Sequence, residues 1–276
     1  MAHMKQTDDQ MLATTTTDID NVEAKKQTKP IAAFQKNEKP NTEKSDRTAH
    51  GEVDVTKLKG GQRLIITVDG NIGSGKSTLI EGAARCGKGW IKAIPEPLEA
   101  ILPHLDTMAD TTKSQLVRDN ALYDLNCALK DHWHRVKREL TNFKRGGDSG
   151  FKVIVVERNA KMGKVFLNLA RSQLGDERYE EMMLAATKNQ VDWDMQVLLY
   201  TPSDVCINRI QKRNRKEEAW ILQKGGYGIQ YLRELEAGME SNFETAKGAA
   251  TRLDGRQSAE DVRRDLLQLL LKLSQQ

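Results

Sequence analysis

An α/β fold of three layers, with helices on both faces of a five-stranded parallel sheet, is what this sequence predicts. From Arg63 onward, short β-branched runs alternate with longer amphipathic stretches, the pattern of βαβ units. A glycine-rich octapeptide lies directly between the first run and a helix. The 276 residues also exceed the roughly 150 of one average domain, so the chain can bury a substantial core.

The expected strands are 63–68 (Arg-Leu-Ile-Ile-Thr-Val), 91–94, 151–156, 195–200 and, on a fainter pattern, 249–253. Helical periodicity covers 113–143, 161–173, 176–189, 203–222, 229–247 and 258–273, with Asp204 and Ser258 at starts where a side-chain oxygen can cap the first turn. Gly146 to Gly150 reads as a connection before the third strand. Residues 1–60 differ: they carry a Thr14–Thr17 run and apolar residues without period, and their ten basic and ten acidic side chains cancel. Such a segment buries too little apolar surface to offset its ordering entropy, so 1–60 is expected to be a disordered polar tail and 61–276 the folded domain.

Composition excludes several classes. The longest apolar stretches, such as Val153 to Val156, are far below a membrane span. Asp8, Asp9, Asp18, Asp20 and Glu23 speak against an acid-poor transit peptide, and no apolar signal core precedes them, so a cytoplasmic location is expected. A net charge of +4 is too mild for a dedicated nucleic-acid binder, although 130–145 is basic. Cys86, Cys127 and Cys206 form no Cys-x-x-Cys pair and are expected as buried small apolar residues. His132-x-His134 lacks a third metal ligand, and Trp90, Trp193 and Trp220 are expected to serve packing.

Gly70-Asn71-Ile72-Gly73-Ser74-Gly75-Lys76-Ser77 fits G-x-x-x-x-G-K-[ST] without a mismatch, which makes this a P-loop NTPase fold. The backbone N–H groups from Asn71 to Thr78 can converge on phosphate oxygens at a helix N-terminus, Lys76 can reach the outer phosphates, and the Ser77 hydroxyl suits Mg²⁺. A nucleoside triphosphate with Mg²⁺ is therefore the expected ligand of the loop.

The stretch Ile66 to Thr78 resembles the first motif of the deoxynucleoside kinases, and three further motifs follow in that family's order: Glu96-Pro97, Glu157-Arg158-Asn159, and Arg209-x-x-x-Arg213-x-Arg215-x-Glu217-Glu218. Glu96 follows the second strand at its carboxyl end, where a carboxylate can take the proton of an attacking hydroxyl. The resemblance implies that role for it. It also implies Glu157 in the magnesium shell, Arg158 at the reacting 5′ end, and Arg209, Arg213 and Arg215 as a helical lid over the phosphates. Glu218 would accept from the deoxyribose 3′-hydroxyl. Gln115 would read the base, while Leu122 and Gly163 would leave room for a thymine methyl, favouring pyrimidine deoxynucleosides including thymidine. A homodimer through the long helices is implied as well.

Departures from the family pattern are Asn159 in place of serine, Phe166 one position before the expected ring at Leu167, no tyrosine between Glu99 and Gln115, and an insertion around Gly225 to Gly228. Two rivals share the fold. A deoxynucleoside monophosphate kinase would need fixed cations for its acceptor phosphate, which a glutamate at position 96 would repel; a catalytically silent nucleotide-binding subunit would bind ATP without turnover.

Overall fold

The computed structural model describes residues 63–146, 150–215, 218–222, 227–244 and 249–275. The tail expected over 1–60, parts of the Gly146–Gly150 connection and of the 219–230 insertion, and the side chain of Trp220 lie outside the described residues.

Five strands form one sheet: β1 (Leu64–Asp69), β2 (Ile91–Ile94), β3 (Val153–Glu157), β4 (Met195–Tyr200) and β5 (Ala249–Asp254). Their order is β2-β3-β1-β4-β5, and every pairing is parallel. A parallel sheet is buried on both faces, which is why β1 reads as an unbroken apolar run. Alternate residues sort to the two sides. Leu64, Ile66, Val68, Val153 and Val155 pack with Leu79 and Ile80 of α1 (Lys76–Cys86) and with Val262 and Leu266 of α9 (Ala259–Ser274). Ile65, Ile154 and Val156 face Val136, Leu140 and Phe143 of α3 (Gln115–Lys144). β5 is largely exposed at the sheet edge, so its faint sequence signal has a physical cause.

Two helical expectations are corrected. The segment α2 (Leu98–Ala109) lies outside the expected helical spans, and it forms a helix although Pro103, which lacks an N–H donor, lies inside it. The stretch 203–222 is not one helix but α6 (Ser203–Arg213) and α7 (Ala219–Leu222), because Asn214 ends α6 in the left-handed conformation at φ 46°. The remaining helices, α4 (Ala160–Leu174), α5 (Asp176–Lys188) and α8 (Tyr227–Glu244), lie close to their expected spans. Ser258 caps α9 as expected, its Oγ accepting from the Asp261 N–H at 3.1 Å, whereas Asp204 falls inside the first turn of α6. Cys86 is exposed, contrary to expectation, while Cys206 is buried. Trp90 and Trp193 are partly buried against the two sheet-facing clusters. Among the described residues no helix is long and apolar enough to cross a membrane.

The strand order reverses at β1. Its loop leads toward β2, while β3 connects across it to β4, so the carboxyl ends of β1 and β3 open a crevice of the kind that binds ligands in such sheets.

Candidate active site

β1 leads into the loop at Gly70, and α1 begins at Lys76. Gly73 and Gly75 hold positive φ angles of 79° and 104°. A Cβ at Gly73 would also come within 2.8 Å of the Cys206 carbonyl oxygen, so only glycine fits there. The first N–H groups of α1 have no intrahelical acceptor, which leaves Lys76, Ser77 and Thr78 to present donors to an anion. Lys76 is buried, and its Nζ donates to the Asn71 carbonyl at 3.0 Å. Burial, reinforced by the Arg158 charge, pulls its ammonium down to about 8 against the pull of Glu157, Glu96 and Asp69.

The expected nucleotide residues divide. Gly73, Ser74, Gly75 and Thr78 line one cavity of about 320 Å³ together with Arg209, Arg213, Gly255 and Gln257. The Asn71 side chain turns away from it and donates to the Leu232 carbonyl of α8 at 2.7 Å, while Ile72 packs against the apolar cluster between α4, α6 and α8.

Beside the loop, three strand ends meet. The Ser77 hydroxyl donates to Glu157 Oε1 at 2.9 Å. Arg158 Nε donates to Glu96 Oε1 in an ion pair whose side chains are 6% and 18% exposed. Burial alone would raise the Glu96 carboxyl, but the Arg158 and Lys76 charges and the Arg158 hydrogen bond outweigh it and hold it below its ordinary value. The Arg158 guanidinium lies over the Phe166 ring, 4.4 Å from its centre, and its Nη1 is buried with no protein partner. Phe166 thus meets the crevice, while Leu167, one residue on, is sealed in the core.

The arginine cluster separates into three roles. Arg209 donates from Nη1 to the Ser74 carbonyl at 2.8 Å and from Nη2 to the Gly255 carbonyl at 2.7 Å, tying α6 to the loop and to the turn after β5. Arg213 lines the cavity and pairs with Glu218. Glu218 is therefore engaged by an arginine at this end. Arg215 is exposed beyond the end of α6 and does not line the cavity, since the left-handed Asn214 breaks the helical phase that would align it with Arg209 and Arg213.

A glycine-rich loop, a hydroxyl–carboxylate pair and a carboxylate–guanidinium pair thus lie side by side, and residues 66–271 match the deoxynucleoside kinase family. The chain belongs to the deoxynucleoside kinase family. It is a nucleoside kinase, a phosphotransferase. Solved structures with the same fold include deoxyadenosine kinase from M. mycoides with products dCMP and a flexible dCDP bound, at 17% identity and a TM-score of 0.59, covering 76% of this chain and 100% of that one. The same enzyme with bound dCTP matches at 17% identity and a TM-score of 0.57 over 76% and 100% of the two chains. With bound dATP it matches at 16% identity and 0.58 over 75% and 99%. No curated protein matches the chain.

The base-reading residues expected for this kinase are corrected in part. Gln115, first residue of α3, is exposed; its amide donates to Asp119 at 2.7 Å and accepts from Arg118 at 2.6 Å. A helix start with local partners has no need to turn inward. The room expected between Leu122 and Gly163 is occupied, because a Cβ at Gly163 would come within 2.3 Å of the Trp133 indole, and Leu122 packs in the same cluster.

Three residues of α3 beside the site were given no role in it by the sequence. Asn126 is buried on the apolar stripe that runs Leu122, Leu129, Trp133, Val136, Leu140, and its Nδ2 donates to the Leu122 carbonyl at 2.8 Å. A polar residue on an apolar stripe is the signal that marks it. His132 is 8% exposed, its Nε2 has no protein partner, and its charge couples to that of Glu96. Burial, with Arg135 adding, holds its imidazole below the usual value despite Glu96 and Glu139. The neighbouring His134 is exposed. Trp133, between the two histidines, packs against Gly163 and walls the region.

Proposed function

We propose that this kinase transfers the γ-phosphoryl of ATP to the 5′-hydroxyl of a deoxynucleoside, with Mg²⁺ as cofactor. The observation that carries the reading is the Glu96–Arg158 pair buried beside the phosphate loop. Glu96, kept ionised by that arginine, takes the proton of the attacking hydroxyl, and Arg158, with an uncommitted Nη1, steadies the reacting oxygens. Lys76 and the cavity-lining Arg209 and Arg213 hold the triphosphate. Bringing donor and acceptor together and excluding water is most of the work in this chemistry.

The Ser77 hydroxyl and the Glu157 carboxylate suit Mg²⁺, which takes hard oxygen donors and commonly uses one or two protein ligands plus phosphates and water. When bound, the ion offsets charge on the transferring phosphate. Ser77 and Glu157 are within hydrogen-bond distance of each other before any ion arrives, so little side-chain motion is needed to hold it.

Pyrimidine deoxynucleosides, thymidine included, are the proposed acceptors, on a ground that differs from the sequence expectation. The support is bulk: the Trp133 indole lies against Gly163 and takes up the space the sequence left open there, which favours the smaller base. Glu218 would reach the 3′-hydroxyl only by giving up part of its pairing with Arg213. The proposal extends to a cytosolic-type compartment and to a dimer through the long helices, where Leu116, Val117 and Leu184 are exposed; analytical ultracentrifugation tests the dimer.

A panel of the four deoxynucleosides and their monophosphates with ATP and Mg²⁺, read as product by chromatography, tests the whole reading. Phosphorylation of a pyrimidine deoxynucleoside is the expected result. Turnover of monophosphates alone would transfer the assignment to the monophosphate kinases, and tight ATP binding with no product would point to a silent subunit.

A further inference from the structure

We propose that Asn159 and Asp69 form a clamp that fixes Arg158 in a left-handed conformation over the crevice, which makes Asn159 a positioning residue for phosphoryl transfer. The inference rests on the role given to Arg158 above, and it starts from a backbone fact. Arg158 has φ 62°, one of two positive values among the described non-glycine residues. A residue with a Cβ adopts that region only when its surroundings hold it there.

The hold is visible on both sides of Arg158. Its own N–H continues the β1–β3 ladder by donating to the Val68 carbonyl at 3.0 Å. The next residue grips one carboxylate twice: the Asn159 backbone N–H donates to Asp69 Oδ1 at 3.1 Å, and its Nδ2 donates to Asp69 Oδ2 at 2.6 Å. Gln196 adds a third donor to the same carboxylate at 3.2 Å. The remaining atom of the Asn159 amide caps α4, Oδ1 accepting from the Met162 N–H at 2.8 Å. Asp69, Asn159 and Gln196 are all buried, so these bonds are little screened by water.

Asn159 thus joins the end of β1 to the start of α4 and leaves Arg158 no choice but to span between them in the left-handed turn. From that turn its guanidinium reaches both Glu96 and the face of Phe166. A serine, the family's usual residue here, can cap α4 with its hydroxyl, but it has no NH₂ group held apart from the capping oxygen to reach Asp69 Oδ2 as the Asn159 amide does. The Asn in this chain therefore combines a cap, which serine would supply, with an amide arm on Asp69, which it would not.

Asn159→Ser keeps the cap and the backbone N–H bond to Asp69 and removes the amide arm of the clamp, and Asp69→Asn weakens the clamp from its other half. The first readout is independent of turnover: the Arg158 Nε–H resonance in a ¹H–¹⁵N spectrum, assigned by its loss in Arg158→Lys. In the parent this proton, donated to buried Glu96, is expected to exchange slowly; in Asn159→Ser, at least about ten times faster. The second readout is kinetic. Asn159→Ser is expected to lower kcat about tenfold or more with the KM for ATP within about twofold, and to cost less than about twofold when introduced into Arg158→Ala, where nothing remains to be positioned. Unchanged Nε–H exchange in Asn159→Ser, or an equal kcat loss with and without Arg158, would overturn the clamp and leave Asn159 as a helix cap. A parent protein without turnover would instead overturn the kinase chemistry, with the exchange measurement still deciding the clamp.

Discussion

Arg158 and Glu96 come from the ends of two neighbouring strands, β3 and β2, and meet as an ion pair with both side chains withdrawn from solvent. Removing one member of a buried pair commonly costs about 3–5 kcal/mol because the other is left uncompensated. An isosteric change is therefore the informative one. Glu96→Gln keeps a hydrogen-bond acceptor for Arg158 and removes the base; kcat is expected to fall at least about 10²-fold. Steady-state assays paired with thermal melts check it, and a folded Glu96→Gln protein with parental kcat would remove Glu96 from the chemistry.

The Lys76 ammonium gives a pH dependence whose sign follows from its environment. Burial lowers it to about 8 in the free protein, so below that pH it is charged and ready for a triphosphate. A bound triphosphate favours the charged form and raises the value, so ATP binding at higher pH must take up a proton. Affinity is expected to be flat up to about pH 7.5 and to weaken above about pH 8. Calorimetry in buffers of different ionisation enthalpy measures the uptake directly, and an affinity that stays level to pH 9.5 would contradict it.

Arg209 and Arg215 are expected to part company. Arg209→Ala removes two charge-assisted bonds, to Ser74 and Gly255, and should raise the KM for ATP about tenfold to a hundredfold, taking about 1.5–3 kcal/mol for bonds to a charged group. Arg215→Ala, changing an exposed residue beyond the helix end, should leave that KM within about twofold. Equal effects of the two substitutions would restore a single continuous lid helix.

Trp133 is expected to set base preference through size. Trp133→Leu deepens the region against Gly163 and should raise the ratio of purine to pyrimidine kcat/KM by about tenfold or more, the scale on which pockets discriminate steric bulk. Gly163→Ala, in contrast, drives a methyl into the indole and should destabilise by about 1–3 kcal/mol, read as a lower melting temperature. A Trp133→Leu protein with the parental base preference would show that the base lies elsewhere.

How much of this was legible depends on whether a feature is local. The phosphate loop needs glycines at fixed offsets and a helix behind them, which a linear sequence displays in full; Gly73 and Gly75 take the positive φ angles that such a loop demands. The central strands β1 and β3 were equally visible, since a strand buried on both faces is continuously apolar, whereas exposed β5 left only a faint pattern. Glu96, Glu157 and Arg158 could be singled out because each lies at or just beyond the carboxyl end of a strand, and strand ends of one sheet converge.

Base recognition was not legible in this way. Gln115 and Gly163 are separated by 48 positions, and which of them faces the crevice is fixed by the rotation of α3 against α4, a property of packing that neither segment encodes alone. The large side chain that fills the gap, Trp133, is on the apolar stripe of α3 and reads in sequence as core, which it also is. The helix break at Asn214 was hidden for a related reason: Lys, Arg and Glu favour a helix throughout 211–218, and one residue in the left-handed region overrides that preference.

By itself the sequence determined the layered fold, the triphosphate loop and the acid and arginine at the strand ends, because each depends on residues adjacent along the chain or on a period of two or 3.6. Only the tertiary structure decided which arginines reach the cavity, that Asn159 grips Asp69, and that an indole closes the space beside Gly163. Those relations depend on distances between separate elements, which are set when apolar faces pack, and side chains far apart in sequence acquire partners only then.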